Sequence, residues 1–230
     1  MDNQRICLLG VFDELYAGLA GATVNDNWRR YADRHGYAVK AVKVMFPQTA
    51  ASWYKIFHLR ETLKTGRHDW VCYFDTDILF TNHEQPLTSF LDDRSFLAVA
   101  DDVDETGEFI GAQLCVRHCQ EAIEFLDEVW EERHRFPHHP WEQPVLNLVA
   151  QSDKYKDKIR RWTGTSFHSF WPNSDPARFE SYPSSTLFSW FPGSFTCHAT
   201  PFILPEKFQI LHRLNDWLKS TEHELAESGQ

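Results

Sequence analysis

The stretch Trp70-Val71-Cys72-Tyr73-Phe74-Asp75-Thr76-Asp77-Ile78-Leu79-Phe80-Thr81-Asn82 carries two carboxylates between two apolar runs. Its opening half is rich in aromatic and β-branched residues, the composition of a buried strand. In extended chain, residues i and i+2 point to the same side. Asp75 and Asp77 are therefore expected to converge at the C-terminal end of that strand, the edge where open α/β sheets bind ligands. Two converging carboxylates suit a hard divalent cation such as Mg²⁺ or Mn²⁺. Asp-x-Asp also recurs on solvated loops. Here the apolar residues on either side require the carboxylates to be paired or metal-bound.

Residues 6–12 read as a first strand, followed by a loop containing Gly18 and Gly21. Asn25 to His35 reads as a helix stopped by Gly36. Tyr37 to Val44 alternates as a second strand. Ser52 to Lys64 forms a helix with Ser52 as N-cap and an apolar stripe of Ile56, Leu59 and Leu63. The Asp-x-Asp strand comes third, which completes β-α-β-α-β, half of a doubly wound sheet. A short helix at Pro86–Leu91 and strands at Phe96–Ala100 and Phe109–Val116 come next. Helices are predicted at Gln120–Arg133, Trp141–Val149 and Glu206–Lys219, and a frayed polar tail from Ser220. Residues 161–196 are rich in Trp, Phe, Pro and Ser, with short strands at most.

The chain has 230 residues, is 42% hydrophobic and 15% aromatic, and carries a net charge of −10. That composition supports a large core, and the acidic balance argues against binding a nucleic-acid backbone. No apolar run is long enough to cross a membrane. The apolar run at residues 6–12 lacks the features of a signal peptide. A cytoplasmic protein, peripheral to a membrane at most, is the expectation. Five cysteines, four of them in predicted strands, read as buried reduced thiols. No Gly-x-Gly-x-x-Gly follows the first strand and no Gly-Lys-Ser/Thr loop exists, which disfavours a dinucleotide site and a P-loop. His134, His138 and His139 cluster without metal-ligand spacing and read as a solvated loop.

Several segments, in order, resemble glycosyltransferase family 34, the galactosyl- and xylosyltransferases of the GT-A fold. They are Asn27-Trp28-Arg29-Arg30-Tyr31-Ala32-Asp33-Arg34-His35-Gly36-Tyr37, Trp53 to Arg60, the Asp-x-Asp strand, Phe109 to Arg117, Trp141 to Asn147, and Phe195-Thr196-Cys197-His198. The resemblance spans roughly residues 5–200 and implies a GT-A, Rossmann-like α/β fold with a mixed central sheet flanked by helices. It implies one catalytic domain over residues 1–220, with a nucleotide-sugar core at 1–150, an acceptor or lid region at 151–220 and a tail at 221–230. It also implies transfer of a hexose or pentose from a nucleotide-diphospho-sugar, UDP-linked, to a glycan or glycolipid acceptor, with Mn²⁺ (or Mg²⁺) and retention of configuration.

In that picture Asp75, Asp77 and His198 hold the metal. Thr76 lies between the two aspartates at the donor. Lys55, off the apolar stripe of its helix, reaches the pyrophosphate or stays a solvated lysine. Gln113 lies mid-strand beside the sugar, where an amide near C1 could stabilise oxocarbenium character. Here the family's Asn-x-Gly is replaced by Gly111-Ala112-Gln113, which leaves the donor sugar open. Glu142 and Gln143 are further candidates for the reacting face. Asp101, with Asp102, binds sugar hydroxyls or only ends a strand. Two other functions compete: a nucleotidyltransferase that makes a nucleotide-sugar, and a non-catalytic carbohydrate-binding module. The missing Gly-rich basic loop disfavours the first.

Overall fold

The computed structural model describes residues 4–45, 51–102, 107–135, 141–172, 188–200 and 202–228. His138, His139 and much of the aromatic stretch before Phe188 lie outside them. Six strands form the main sheet: β1 (Ile6–Phe12), β2 (Ala38–Lys43), β3 (Trp70–Phe74), β5 (Leu97–Asp101), β6 (Phe109–Arg117) and β7 (Ile159–Trp162). Their order is β2-β1-β3-β6-β5-β7. β1 pairs with β2 and β3 in parallel, and β6 runs antiparallel to both of its neighbours. The sheet is therefore mixed, as expected.

All five residues of β3 are buried, because helices and loops cover both faces of the sheet. Alternation sends Val71 and Tyr73 into one core, with Ile56, Leu59 and Leu63 of α3 (Ala51–Lys64) and Phe125 and Leu126 of α4 (Gln120–Glu131). Trp70, Cys72 and Phe74 enter the opposite core, with Trp28 and Tyr31 of α2 (Trp28–His35). Gly36 ends α2 with a φ of 71°, the left-handed cap expected of it.

The Asp-x-Asp segment differs from the extended chain predicted for it. β3 ends at Phe74, and β4 (Ile78–Phe80) begins only after a turn closed by Ile78 N–H donating to Asp75 O at 3.0 Å. The two carboxylates meet through that turn, not through strand alternation. β4 leaves the main sheet and pairs antiparallel with β8 (Thr196–His198), which places Ile78 opposite His198. Hydrogen bonds from the N-terminal helices fix this segment. Thr23 Oγ1 donates to Thr76 O at 2.8 Å, Trp28 Nε1 donates to Ile78 O at 2.8 Å, and Asn27 Oδ1 accepts from Phe80 N–H at 2.8 Å. The full burial of Phe80 contributes roughly 1.5–3 kcal/mol more.

Two other expectations change. The predicted loop holding Gly18 and Gly21 is a short helix, α1 (Ala17–Ala22), because Leu19 and Ala20 find apolar partners. The C-terminal helix α6 spans Leu204–Ser228, well past the predicted fraying point at Ser220. Glu222 anchors the extension by pairing with Arg30 and with His83. The helix α5 (Gln143–Ala150) sits near its expected place. Cys7, Cys72, Cys115 and Cys197 are buried free thiols.

Candidate active site

The Asp-Thr-Asp turn opens onto a cavity of about 690 Å³ at the end of β3, between the sheet, α3, α5 and the start of α6. Asp75 and Asp77 face different walls of it. Asp75 lies on the α3 side. Its Oδ1 accepts from the Tyr73 hydroxyl and lies 3.1 Å from Lys55 Nζ. Lys55 also reaches Glu142 Oε1 at 2.7 Å and donates to Gly111 O at 3.0 Å. The lysine read as lying off its stripe is 4% exposed. Burial disfavours its charge, but the carboxylates of Asp75 and Glu142 outweigh that and hold its pKa above the usual lysine value.

Asp77 is buried on the α6 side. Its Oδ1 lies 3.1 Å from His198 Nε2, and its Oδ2 accepts from Lys207 Nζ. Burial pushes its carboxyl up, yet His198 and Lys207 more than reverse this and hold it well below the usual carboxylate range. Glu142 moves the other way. Burial and nearby Asp75 raise its pKa against the pull of Lys55, and its Oε2 is a buried acceptor with no partner among the described residues. Two carboxylates of one cavity are thus pushed in opposite directions, a pattern typical of sites with divided roles.

Ligating atoms of Asp75, Asp77 and His198 all lie within 4.8 Å of one another. Two carboxylate oxygens and one imidazole nitrogen form a donor set that suits Mn²⁺ or Mg²⁺. The lining supports the fit. Among the described residues it contains the carboxylates of Asp13, Asp75, Asp77, Asp102 and Glu142 and the ammonium groups of just Lys55 and Lys207. A cavity with that excess of negative charge attracts a cation and repels a bare diphosphate.

The remaining candidates separate into groups. Thr76, Glu142 and Gln143 line the cavity with Asp75, Asp77 and His198. Gln143 Oε1 accepts from Gly111 N–H at 2.9 Å and Nε2 donates to Asp102 Oδ2 at 2.7 Å, so both ends of its amide are engaged. Asp101 stands apart. Arg161 Nε reaches it at 2.6 Å and the Thr163 hydroxyl donates to it, while Asp102 is the carboxylate at the cavity. Gln113 is fully buried, bonded to Phe167 and His168, and is not part of the lining. Sequence reading missed Tyr73, His168 and Lys207. Lys207 did leave a signal: it falls in helical register with Leu211, Leu214 and Leu218, a charge on an apolar stripe.

Residues 19–100 match the galactosyl transferase GMA12/MNN10 family. No curated protein sequence matches the chain. Among solved structures, a glycosyltransferase involved in the glycosylation of the major capsid of PBCV-1 superposes with a TM-score of 0.65 at 15% identity, covering 91% of this chain and 99% of that one. The galactosyltransferase LgtC, solved with donor and acceptor sugar analogs, gives 0.55 at 14% identity over 94% and 95% of the two chains. GlyE of Streptococcus pneumoniae gives 0.55 at 16% identity, over 95% of this chain and 64% of that one. The chain has the GT-A fold of these glycosyltransferases. In this chain the Asp-x-Asp turn lies at the end of β3 and the late histidine returns to it on β8. Among the described residues no helix is long and apolar enough to cross a membrane.

Proposed function

We propose that this chain is a glycosyltransferase that moves a hexose or pentose from a UDP-linked sugar to a glycan or glycolipid acceptor, with Mn²⁺ (or Mg²⁺) held by Asp75, Asp77 and His198. The observation that carries this reading is the trio of ligating atoms within 4.8 Å at the floor of an acidic cavity. A bound divalent ion would supply the positive charge that such a cavity lacks for a diphosphate.

The chain's own groups take the remaining work. Lys55 holds the carboxylates of Asp75 and Glu142 in place from one side. Lys207, at the opposite wall, adds a fixed cation where a departing diphosphate gathers charge. Glu142 Oε2 offers an acceptor to a donor-sugar hydroxyl, which would end its isolation. Gln143 braces Gly111 and Asp102, keeping the wall beside the sugar in shape. Asp101, tied to Arg161, supports that wall from behind. Retention of configuration follows from the family likeness and accords with a site that positions the two substrates and stabilises developing charge. One catalytic unit over residues 1–220, working in the cytoplasm, completes the reading.

Turnover across a panel of nucleotide-sugars, with Mn²⁺, with EDTA and with Asp77→Ala, tests it. Metal-dependent UDP release from one donor, lost in the variant, is the expected result, and the anomer of the product reports retention. Turnover of a nucleoside triphosphate with a sugar phosphate would favour nucleotidyl transfer instead.

A further inference from the structure

A chain of buried polar groups runs from the interior of β6 to the cation site. Gln113 Nε2 donates to the carbonyl of Phe167 at 3.1 Å. A carbonyl only accepts, so the amide orientation is fixed: nitrogen toward Phe167 and Oε1 toward His168. Gln113 Oε1 lies 2.7 Å from His168 Nδ1. An amide oxygen also only accepts, so His168 carries its proton on Nδ1. His168 is 2% exposed, packs edge-on against Phe170 and makes no carboxylate contact among the described residues. A neutral ring is the form such surroundings favour. Its Nε2 is then a bare acceptor, and it faces His198 Nδ1 at 3.3 Å. His198 must place a proton on Nδ1 to satisfy it, which leaves His198 Nε2 as the nitrogen directed at Asp77, 3.1 Å away.

We infer that Gln113 and His168 act as positioning residues that set the tautomer of His198 and so present its Nε2 to a divalent cation. The inference rests on the metal site proposed above. It gives Gln113 a role different from the one expected at the sugar: the residue reaches the site through two rings and touches no substrate. Outer groups that orient a ligating imidazole commonly affect metal affinity about 10–100-fold.

Nuclear magnetic resonance of the full chain, ¹⁵N-labelled at histidine, reads the proton positions directly. Calorimetry with Mn²⁺ reads affinity in the wild type, in Gln113→Met and in Asp77→Asn. The expected wild-type spectrum has a proton on Nδ1 of both rings and a bare Nε2 on His168. In Gln113→Met the His168 tautomers mix and Mn²⁺ affinity falls about 10–100-fold. A wild-type His168 protonated on Nε2, or a His198 with bare Nδ1, overturns the inference without any variant having to fold. A tautomer that changes in Gln113→Met with unaltered affinity also overturns it. Failure of the metal reading looks different: Mn²⁺ then does not bind the wild type, or binds Asp77→Asn equally well, whatever the tautomers.

Discussion

Lys55 and Lys207 each neutralise one aspartate of the same turn, but they are held in different ways. Lys55 comes from a helix packed directly on β3 and has three partners: Asp75, Glu142 and the carbonyl of Gly111. Lys207 comes from α6, 130 residues from Asp77 in sequence, and the carboxylate it holds is shared with His198. The first wall of the site is built into the sheet and its nearest helix. The second exists only once β8 has paired with β4 and α6 has settled over Leu79 and Cys197. One turn thus joins a wall made by local topology to a wall made by long-range closure.

The largest expected effect tests that contrast. Lys55→Met leaves Asp75 and the buried Glu142 without their cation and is expected to cost about 3–5 kcal/mol in urea unfolding. Lys207→Met is expected to cost less, because His198 still faces Asp77. Equal losses would erase the distinction between the walls. Asp77→Ala removes the carboxylate on which β8 and α6, the elements of the second wall, converge. Donor turnover is expected to fall about 10²–10³-fold, the scale for losing one preorganised electrostatic group.

A smaller effect is expected at Gly111. A Cβ there would lie 2.5 Å from Glu142 Oε1. Gly111→Ala must push that carboxylate off Lys55, at about 1–3 kcal/mol, measurable by denaturant unfolding. The smallest effect is in pH dependence without metal. Asp77 has a depressed pKa, so its stabilisation is present above the ordinary aspartate range and is lost as pH falls below it. Glu142, with a raised pKa, acts in the opposite sense and weakens the fold as pH rises through and above the ordinary glutamate range. Asp77→Asn should therefore flatten the acid limb of the stability curve and Glu142→Gln should not.

The first wall was largely legible in sequence and the second largely was not. β3, α3 and the Asp-x-Asp segment announce themselves through local periodicity, and each lies beside the next in the sheet. Even there, the turn at Asp75–Asp77 replaced the predicted extended chain, because β4 swings away to pair with β8. His198 entered only through the family resemblance. His168 lies in Ser166-Phe167-His168-Ser169-Phe170, which has no periodicity to mark it; its partner Gln113 was placed beside the sugar by the family resemblance, and strand position alone does not say which neighbour fills the space beyond. Lys207 was readable in principle from its place on an apolar stripe. What that lysine meets depends on a closure that no local pattern encodes.

The central claim is that the acidic cavity accepts a diphosphate only with a divalent cation on the Asp-x-Asp turn. Calorimetric titration of the wild type with UDP, in Mn²⁺ and again in EDTA, tests it most directly. Binding in Mn²⁺ and none in EDTA over the same concentration range is the expected result. Equal affinity in both buffers would show that Lys55 and Lys207 suffice for the diphosphate, and would contradict the assignment of a metal to Asp75, Asp77 and His198.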